Sequence, residues 1–150
     1  MRNSTTTSAR SAIVAASGSI EFGSRPRQVT TPMTPLNPDT LIENWHAHVY
    51  FDASRRDAAW ALREVIVAAL AGRMEMGRFH ERPVGPHPMW SYQLAFAPAQ
   101  FAAVVGWLTL NRGALDVFVH PNTGDALVDH RDRALWLGRS FALNLAALGA

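Results

Sequence analysis

The sequence predicts an α+β fold, a ferredoxin-like βαββαβ two-layer sandwich with a C-terminal extension. Alternating apolar residues indicate strands at residues 43–52, 89–97 and 115–120, and a weaker strand pattern covers residues 73–79. Apolar residues at helical spacing fill residues 54–70 and 98–111. Both helices of this fold lie on one face of the sheet, so the other face needs a cover from the extension or from a second subunit. We therefore expect a homodimer.

The first strand has two chemically different faces. Its odd-numbered residues from 45 to 51 are apolar, whereas the even-numbered ones are His46, His48 and Tyr50. Successive side chains of a strand point to opposite sides of the sheet, so both histidines leave the same face. From the strand rise we expect their Cβ atoms to be roughly 6–7 Å apart. Two imidazoles can reach one metal ion across that gap.

The remaining elements follow from turn and cap signals. Residues 54–57, Ser-Arg-Arg-Asp, form a variant capping box, and Gly72 is a good C-cap for the first helix. Pro98 opens the second helix at its first position, and residues 111–113, Asn-Arg-Gly, end it. We expect residues 126–128 and 135–137 to pair as a short hairpin, and residues 140–148 to form a last helix.

Residues 1–39 differ in composition from the rest of the chain. Serine, threonine, glycine and proline dominate there, and four arginines stand against Glu21 and Asp39. We interpret this segment as a disordered or targeting-like N-terminal tail, and residues 40–150 as the folded domain. We expect a cytoplasmic protein, although the arginine and serine content leaves an organellar targeting signal open.

The composition excludes several classes of function. The chain has no cysteine, which rules out disulfides, thiolate catalysis and cysteine-ligated metals, and no lysine, which rules out Schiff-base chemistry. From residue 40 onward ten arginines balance ten acidic residues, so a basic nucleic-acid face is not indicated. No apolar run approaches the roughly 20 residues of a membrane span. Small molecules are therefore the expected partners.

A third histidine is predicted to join the first two. On the last predicted strand His120 shares its parity with Phe118, opposite Val117 and Val119. This strand runs antiparallel beside the first one in the ferredoxin-like order, which brings His120 toward His46 and His48. Such a set suits non-haem Fe(II), and also Zn(II) or Mn(II). A carboxylate ligand stays open, with Glu81, Asp125 and Asp129 as candidates, although Asp125 is better explained as a turn residue.

Residues 77–90 form a loop that three prolines stiffen and two histidines occupy. The blocks Gly-Arg-Phe-His-Glu at 77–81 and Pro-Val-Gly-Pro-His-Pro-Met-Trp at 83–90, with His-Ala-His-Val-Tyr-Phe-Asp at 46–52, resemble the DOPA 4,5-dioxygenase family. The blocks His-Pro-Asn-Thr-Gly-Asp at 120–125, Asp-His at 129–130 and Ala-Leu-Trp-Leu-Gly at 134–138 are also similar to that family. The resemblance covers roughly residues 43 to 140. It implies a dimeric ferredoxin-like enzyme that uses iron and O₂ to cleave a catechol outside its two hydroxyls, as in L-DOPA to a seco-DOPA.

The resemblance implies the chemistry, and strand parity and the 77–90 loop supply the candidate residues for it. His46, His48 and His120 are the predicted iron ligands, and His80 and His87 are the predicted acid–base residues. Arg78 or Arg82 could clamp a substrate carboxylate, and a plain surface role for each stays open. Trp90 and Tyr92 could line the pocket for the aromatic ring, or pack in the core.

Two other functions remain open at this point. The ferredoxin-like fold also serves non-catalytic dimeric modules that bind a small ligand or a metal. A metal-dependent enzyme with another substrate has the same sequence features.

Overall fold

The computed structural model describes residues 33–149, and one compact unit spans Pro35–Ala150. Most of the predicted tail, residues 1–32, lies outside the described residues. The predicted boundary after residue 39 falls within the first helix that the structure describes. A short helix, α1 (Pro38–Leu41), begins before it, and the Asn37 side chain caps this helix by accepting a hydrogen bond from the Asp39 amide at 3.0 Å.

The described residues contain a five-stranded antiparallel sheet in the order β2-β3-β1-β4-β5. Its strands are β1 (Asn44–Phe51), β2 (Glu75–Met76), β3 (Trp90–Phe96), β4 (Asp116–Asn122) and β5 (Leu135–Leu137). The first four strands have the ferredoxin-like order, so the predicted fold class is confirmed. The extension adds β5 beside β4. The edge strands β2 and β5 have two and three residues.

Two helices cover one face of the sheet. They are α2 (Arg56–Ala69) and α3 (Phe101–Asn111), and they bury Ala59, Ile66, Val104 and Leu108. These side chains belong to one hydrophobic core with the valines of β1 and β4, because those strands present alternate residues to the helices. No helix in the described part of the chain is long and apolar enough to cross a membrane.

The extension differs from its prediction. Residues 126–128 belong to a helix, α4 (Ala126–Arg131), because the Asp125 carboxylate accepts a hydrogen bond from the Val128 amide at 3.1 Å and caps it. β5 therefore pairs with β4 and not with residues 126–128. The last predicted helix is reduced to a 3₁₀ turn, Leu145–Leu148, and the strand predicted over residues 73–79 to β2.

The second face of the sheet is covered by the same chain. Tyr50 lies 5.6 Å from Trp136 and 5.8 Å from Phe141, measured between ring centroids, and it is 1% exposed. The Asn144 amide donates to the Pro86 carbonyl at 2.9 Å, which joins the C-terminal segment to the 77–90 loop. Of the two covers that the sequence leaves open, the C-terminal extension is the one that lies on this face. A dimer is not needed to bury it.

An ion pair fixes the start of the C-terminal segment. Asp116 is 4% exposed, and its carboxylate accepts hydrogen bonds from the Arg139 amide and guanidinium at 2.8–3.1 Å. Burial alone would raise the pKa of Asp116, but the bonds from Arg139 outweigh it and lower this pKa. Gly138 precedes the pair with a φ of 93°, a conformation that favours glycine.

Candidate metal centre and adjoining pocket

Three imidazoles meet on the covered face of the sheet. The strand register places His46 of β1 directly opposite His120 of β4, and His48 two residues further along β1. One ring nitrogen from each of the three lies within 4.8 Å of the others. Strand parity predicts this convergence, because residues two apart on a strand share a face. Among residues 33–149 this is the group of potential metal ligands that lies close enough together to share an ion.

The separation between the nitrogens of His48 and His120 fits a shared metal ion. His48 Nε2 and His120 Nε2 are 3.3 Å apart. Metal–nitrogen bonds of about 2.1 Å place two ligand nitrogens about 3.0 Å apart at a right angle and about 3.4 Å apart at a tetrahedral angle. The observed separation falls between these values, so both atoms can bind one ion without moving. The two ring planes are nearly parallel, with an interplanar angle of 8°.

A backbone bond fixes the tautomer of His120. Its Nδ1 lies 2.9 Å from the Pro121 carbonyl oxygen, which has no proton, so Nδ1–H is the donor. The lone pair of the neutral ring is then on Nε2, the nitrogen that faces His48. Ligating histidines commonly donate their other N–H to a backbone carbonyl in this way.

The cluster keeps its imidazoles neutral. Burial, with a smaller contribution from the neighbouring His130, lowers the pKa of His120 to about 3. Burial, together with the neighbouring imidazoles, holds the pKa of His48 well below its usual range. Burial also lowers the pKa of His46. Since a metal binds only the unprotonated nitrogen, these three residues are ready to bind at neutral pH.

His87 reaches the cluster from the 77–90 loop. Its ring centroid is 3.9 Å from that of His48, and its Nδ1 lies 2.7 Å from the Tyr50 hydroxyl. Burial, with smaller contributions from the neighbouring His130 and His46, lowers the pKa of His87 to about 4. Burial also raises the pKa of Tyr50, which stays a neutral phenol. His87 is thus a neutral imidazole held in place by one hydrogen bond.

His130 is a member of the cluster that the sequence-based reasoning missed. Its ring centroid is 3.9 Å from that of His120 and 5.9 Å from that of His87. It stands on α4 beside Asp129, whose buried carboxylate accepts hydrogen bonds from the Thr123 amide and hydroxyl, each at 2.7 Å. The sequence feature that could have indicated His130 is the Asp-His pair at 129–130. Its position beside the other histidines becomes evident only once residues 126–131 are known to be helical.

A pocket of about 290 Å³ adjoins His48, one of the three metal-ligand candidates. His80 and His87 both line it beside His48, so the structure brings the two predicted acid–base residues to one cavity. Arg78 is an exposed residue at the same pocket. Ser91 and Gln93 of β3 also line it, and the sequence-based reasoning did not name them as site residues.

Three predicted substrate residues are not brought to this pocket. Trp90 and Tyr92 are paired across strands with Phe51 and Val49, and all four lie on the helix side of the sheet. Core packing accounts for both aromatic residues. Arg82 is exposed and is not among the residues that line the pocket.

The carboxylates considered as ligands are engaged elsewhere. Glu81 accepts a hydrogen bond from Arg56 Nε at 2.6 Å, Asp125 caps α4, and Asp129 binds Thr123. Among the residues that the structure describes, the candidate ligand set therefore consists of imidazoles alone.

Comparison with known proteins gives consistent results. Residues 45–147 match the model of the Dopa 4,5-dioxygenase family. A DOPA 4,5-dioxygenase of Amanita muscaria is 37% identical over 138 residues, which cover 86% of this chain and 60% of that relative. An uncharacterized 21.2 kDa protein of Botryotinia fuckeliana is 36% identical, over 74% of this chain and 75% of that protein. The crystal structure of a candidate dioxygenase from Nostoc punctiforme superposes with a TM-score of 0.73 at 48% identity, over 77% of this chain and 97% of that one.

Proposed function

Because this chain belongs to the Dopa 4,5-dioxygenase family, we propose that it is an extradiol dioxygenase that cleaves a catechol such as L-DOPA with Fe(II) and O₂. The observation that carries the proposal is the convergence of His46, His48 and His120 beside a pocket of single-ring size. The chain spans 60% of the length of its Amanita relative, so activity and substrate are part of the proposal.

The three histidines are the proposed iron ligands. Their neutral imidazoles and the 3.3 Å nitrogen separation fit such an ion, and three protein ligands leave positions open for small molecules. When bound, Fe(II) supplies Lewis acidity and redox chemistry toward O₂ that no amino-acid side chain provides. In the overall reaction the C4–C5 ring bond of L-DOPA breaks, and both atoms of O₂ enter the ring-opened product.

His87 is the proposed proton acceptor. In the tautomer whose Nδ1–H donates to the Tyr50 oxygen, Nε2 carries the lone pair that can take a catechol proton. The lowered pKa keeps this nitrogen unprotonated beforehand and favours return of the proton later. His80 lines the same pocket and is the alternative proton carrier. Arg78 is the proposed partner of a substrate carboxylate.

We also propose that the protein is a homodimer. The sheet face that carries the histidines is covered without a second subunit, so the support for a dimer comes from the helical layer on the opposite face. There α2 exposes Trp60, Val65 and Val67 by 39%, 54% and 46%. Sedimentation equilibrium at micromolar concentration should give about twice the 16.5 kDa of the chain. A clean monomer that turns over catechols would exclude the dimer.

The function is tested by loading anaerobically purified protein with Fe(II) and adding O₂. Cleavage of L-DOPA should consume one O₂ per substrate and form a yellow ring-opened product. Protein loaded with redox-inactive Zn(II) is the matched control and should consume none. Metal uptake without O₂ consumption by any catechol would instead identify a metal-binding module.

The ligand assignment is tested by iron content. His48→Gln and His120→Gln should each lose most of the bound iron, because each removes one of three donors. His80→Gln is the matched control and should keep it. Full iron in both ligand variants would move the metal away from the β1–β4 pair.

A further inference from the structure

The pocket beside the three histidines has an unpaired cation. Eight of the ten arginines in residues 33–149 donate to a carboxylate, an amide or a backbone carbonyl. The two without such a partner in this part of the chain are Arg78 and Arg82, and of these Arg78 lines the pocket. A guanidinium that is free at a pocket is available to bind the carboxylate of a ligand.

The same pocket has no anion. None of the acidic side chains of residues 33–149 lines it. The acid nearest in sequence, Glu81, is held by Arg56 at 2.6 Å. Asp116 and Asp129, the buried acids of the domain, are paired with Arg139 and Arg133. The side chain of a catechol bound in this pocket would therefore lie near one positive group and no negative group.

This charge pattern distinguishes between otherwise similar catechols. At neutral pH L-DOPA has a carboxylate and an ammonium on the same carbon atom. The carboxylate can pair with Arg78, but the ammonium would lose water beside a like charge and gain no counterion. The compound 3-(3,4-dihydroxyphenyl)propanoate has the same ring, chain length and carboxylate, and lacks the ammonium.

Building on the ring-cleavage function proposed above, we propose that the preferred substrates are catechols that bear a carboxylate and no amine, selected by Arg78. A pocket of about 290 Å³ accommodates one ring with a short side chain. The catechol hydroxyls would lie toward His48, the member of the triad that lines the pocket, and the side-chain carboxylate would lie toward Arg78.

The test compares four catechols on Fe(II)-loaded protein: the propanoate, L-DOPA, dopamine and 4-methylcatechol. Calorimetry without O₂ measures binding independently of turnover, and O₂ uptake then measures kcat/KM. We expect the propanoate to bind about two- to fivefold more tightly than L-DOPA, within the range for one interaction between exposed charges, and dopamine to bind most weakly. The neutral 4-methylcatechol is the reference for each ratio.

Charge reversal at the two unpaired arginines provides the matched variants. Arg78→Glu should abolish the preference for the propanoate and raise the affinity for dopamine relative to 4-methylcatechol. Arg82→Glu makes the same change in the same loop outside the pocket, and should keep the order of the wild type. Both residues are exposed, so both variants should fold.

The outcomes separate this inference from the function on which it rests. Cleavage of all four catechols, with L-DOPA bound as tightly as the propanoate, would overturn the substrate preference and leave the dioxygenase intact. An unchanged order in Arg78→Glu, or the same change in Arg82→Glu, would overturn the role of Arg78. The expected binding order without O₂ consumption would overturn the dioxygenase and leave the charge selectivity standing.

Discussion

Replacement of Gly138 by alanine should damage the domain through one identifiable contact. An ideal Cβ at this position would lie 2.5 Å from Asp116 Oδ1 and 2.9 Å from Arg112 Nη1. Real Cβ atoms do not approach other atoms so closely, so the Asp116 carboxylate must move. That oxygen accepts the hydrogen bond from the Arg139 amide, and moving it breaks the attachment of the C-terminal segment.

Two energetic costs contribute to the loss of stability in Gly138→Ala. Alanine at a φ of 93° costs about 1–2 kcal/mol in the backbone alone. Disrupting the bonds of a buried carboxylate adds about 1–3 kcal/mol. We expect Gly138→Ala to lose about 2–5 kcal/mol of the free energy of unfolding, a large share of the roughly 5–15 kcal/mol of a typical domain.

Gly124→Ala is the matched control. Gly124 has a φ of 90°, and a Cβ there meets nothing within 4 Å. It should therefore lose the backbone term alone, about 1–2 kcal/mol. Urea unfolding followed by tryptophan fluorescence gives both values. Equal losses in the two variants would refute the argument that Asp116 is displaced.

Three further predictions concern single side chains. His87→Gln should keep its iron but slow catechol cleavage by about 10²–10⁴-fold, the usual contribution of a positioned acid or base. Single-turnover kinetics measures this rate. An unchanged rate in His87→Gln together with a slow His80→Gln would assign the acid–base role to His80. Asp116→Asn should lose stability relative to the wild type mainly above pH 4. The pKa of Asp116 is lowered from 3.8 in the folded protein, so the stabilisation by its ionised carboxylate is present above that value and disappears as the pH falls through the folded pKa. A stability difference between variant and wild type that does not change with pH would contradict this role of Asp116. Tyr92→Phe should be neutral or stabilising in thermal unfolding and leave KM unchanged, because the buried Tyr92 hydroxyl has no hydrogen-bond partner in the described part of the chain; a raised KM would return this residue to the substrate pocket.

The sequence predicts the metal-ligand candidates because strand parity is a local rule. His46 and His48 share a face wherever β1 lies, and β4 follows the same rule with His120. The same rule could have placed Trp90 and Tyr92 correctly. They alternate with Ser91 and Gln93, and the polar pair faces the pocket. Both faces of this sheet are largely buried, so apolar character alone does not show which face carries the site.

The extension could not be predicted in the same way, because its structure depends on a cap and on distant contacts. The sequence predicts Asp125 as a turn residue, whereas its side chain caps the N-terminus of α4, the helix that carries His130. The segment after Gly138 has little regular structure of its own. It is held by Asp116, far away in the chain, and by the 77–90 loop. No periodicity records such contacts.

The unequal lengths of the strands bear on how this protein avoids self-association through its backbone. The three central strands have seven or eight residues each, and they are rich in the valine, tyrosine and phenylalanine that favour cross-β stacking. Each of these strands is hydrogen-bonded on both sides within the sheet. The two edges present ladders of two and three residues, too short to template a neighbouring chain. Within residues 33–149 we therefore expect two copies to pair through side-chain surfaces, and loss of an edge strand would expose the longer hydrogen-bonding edge of β3 or β4.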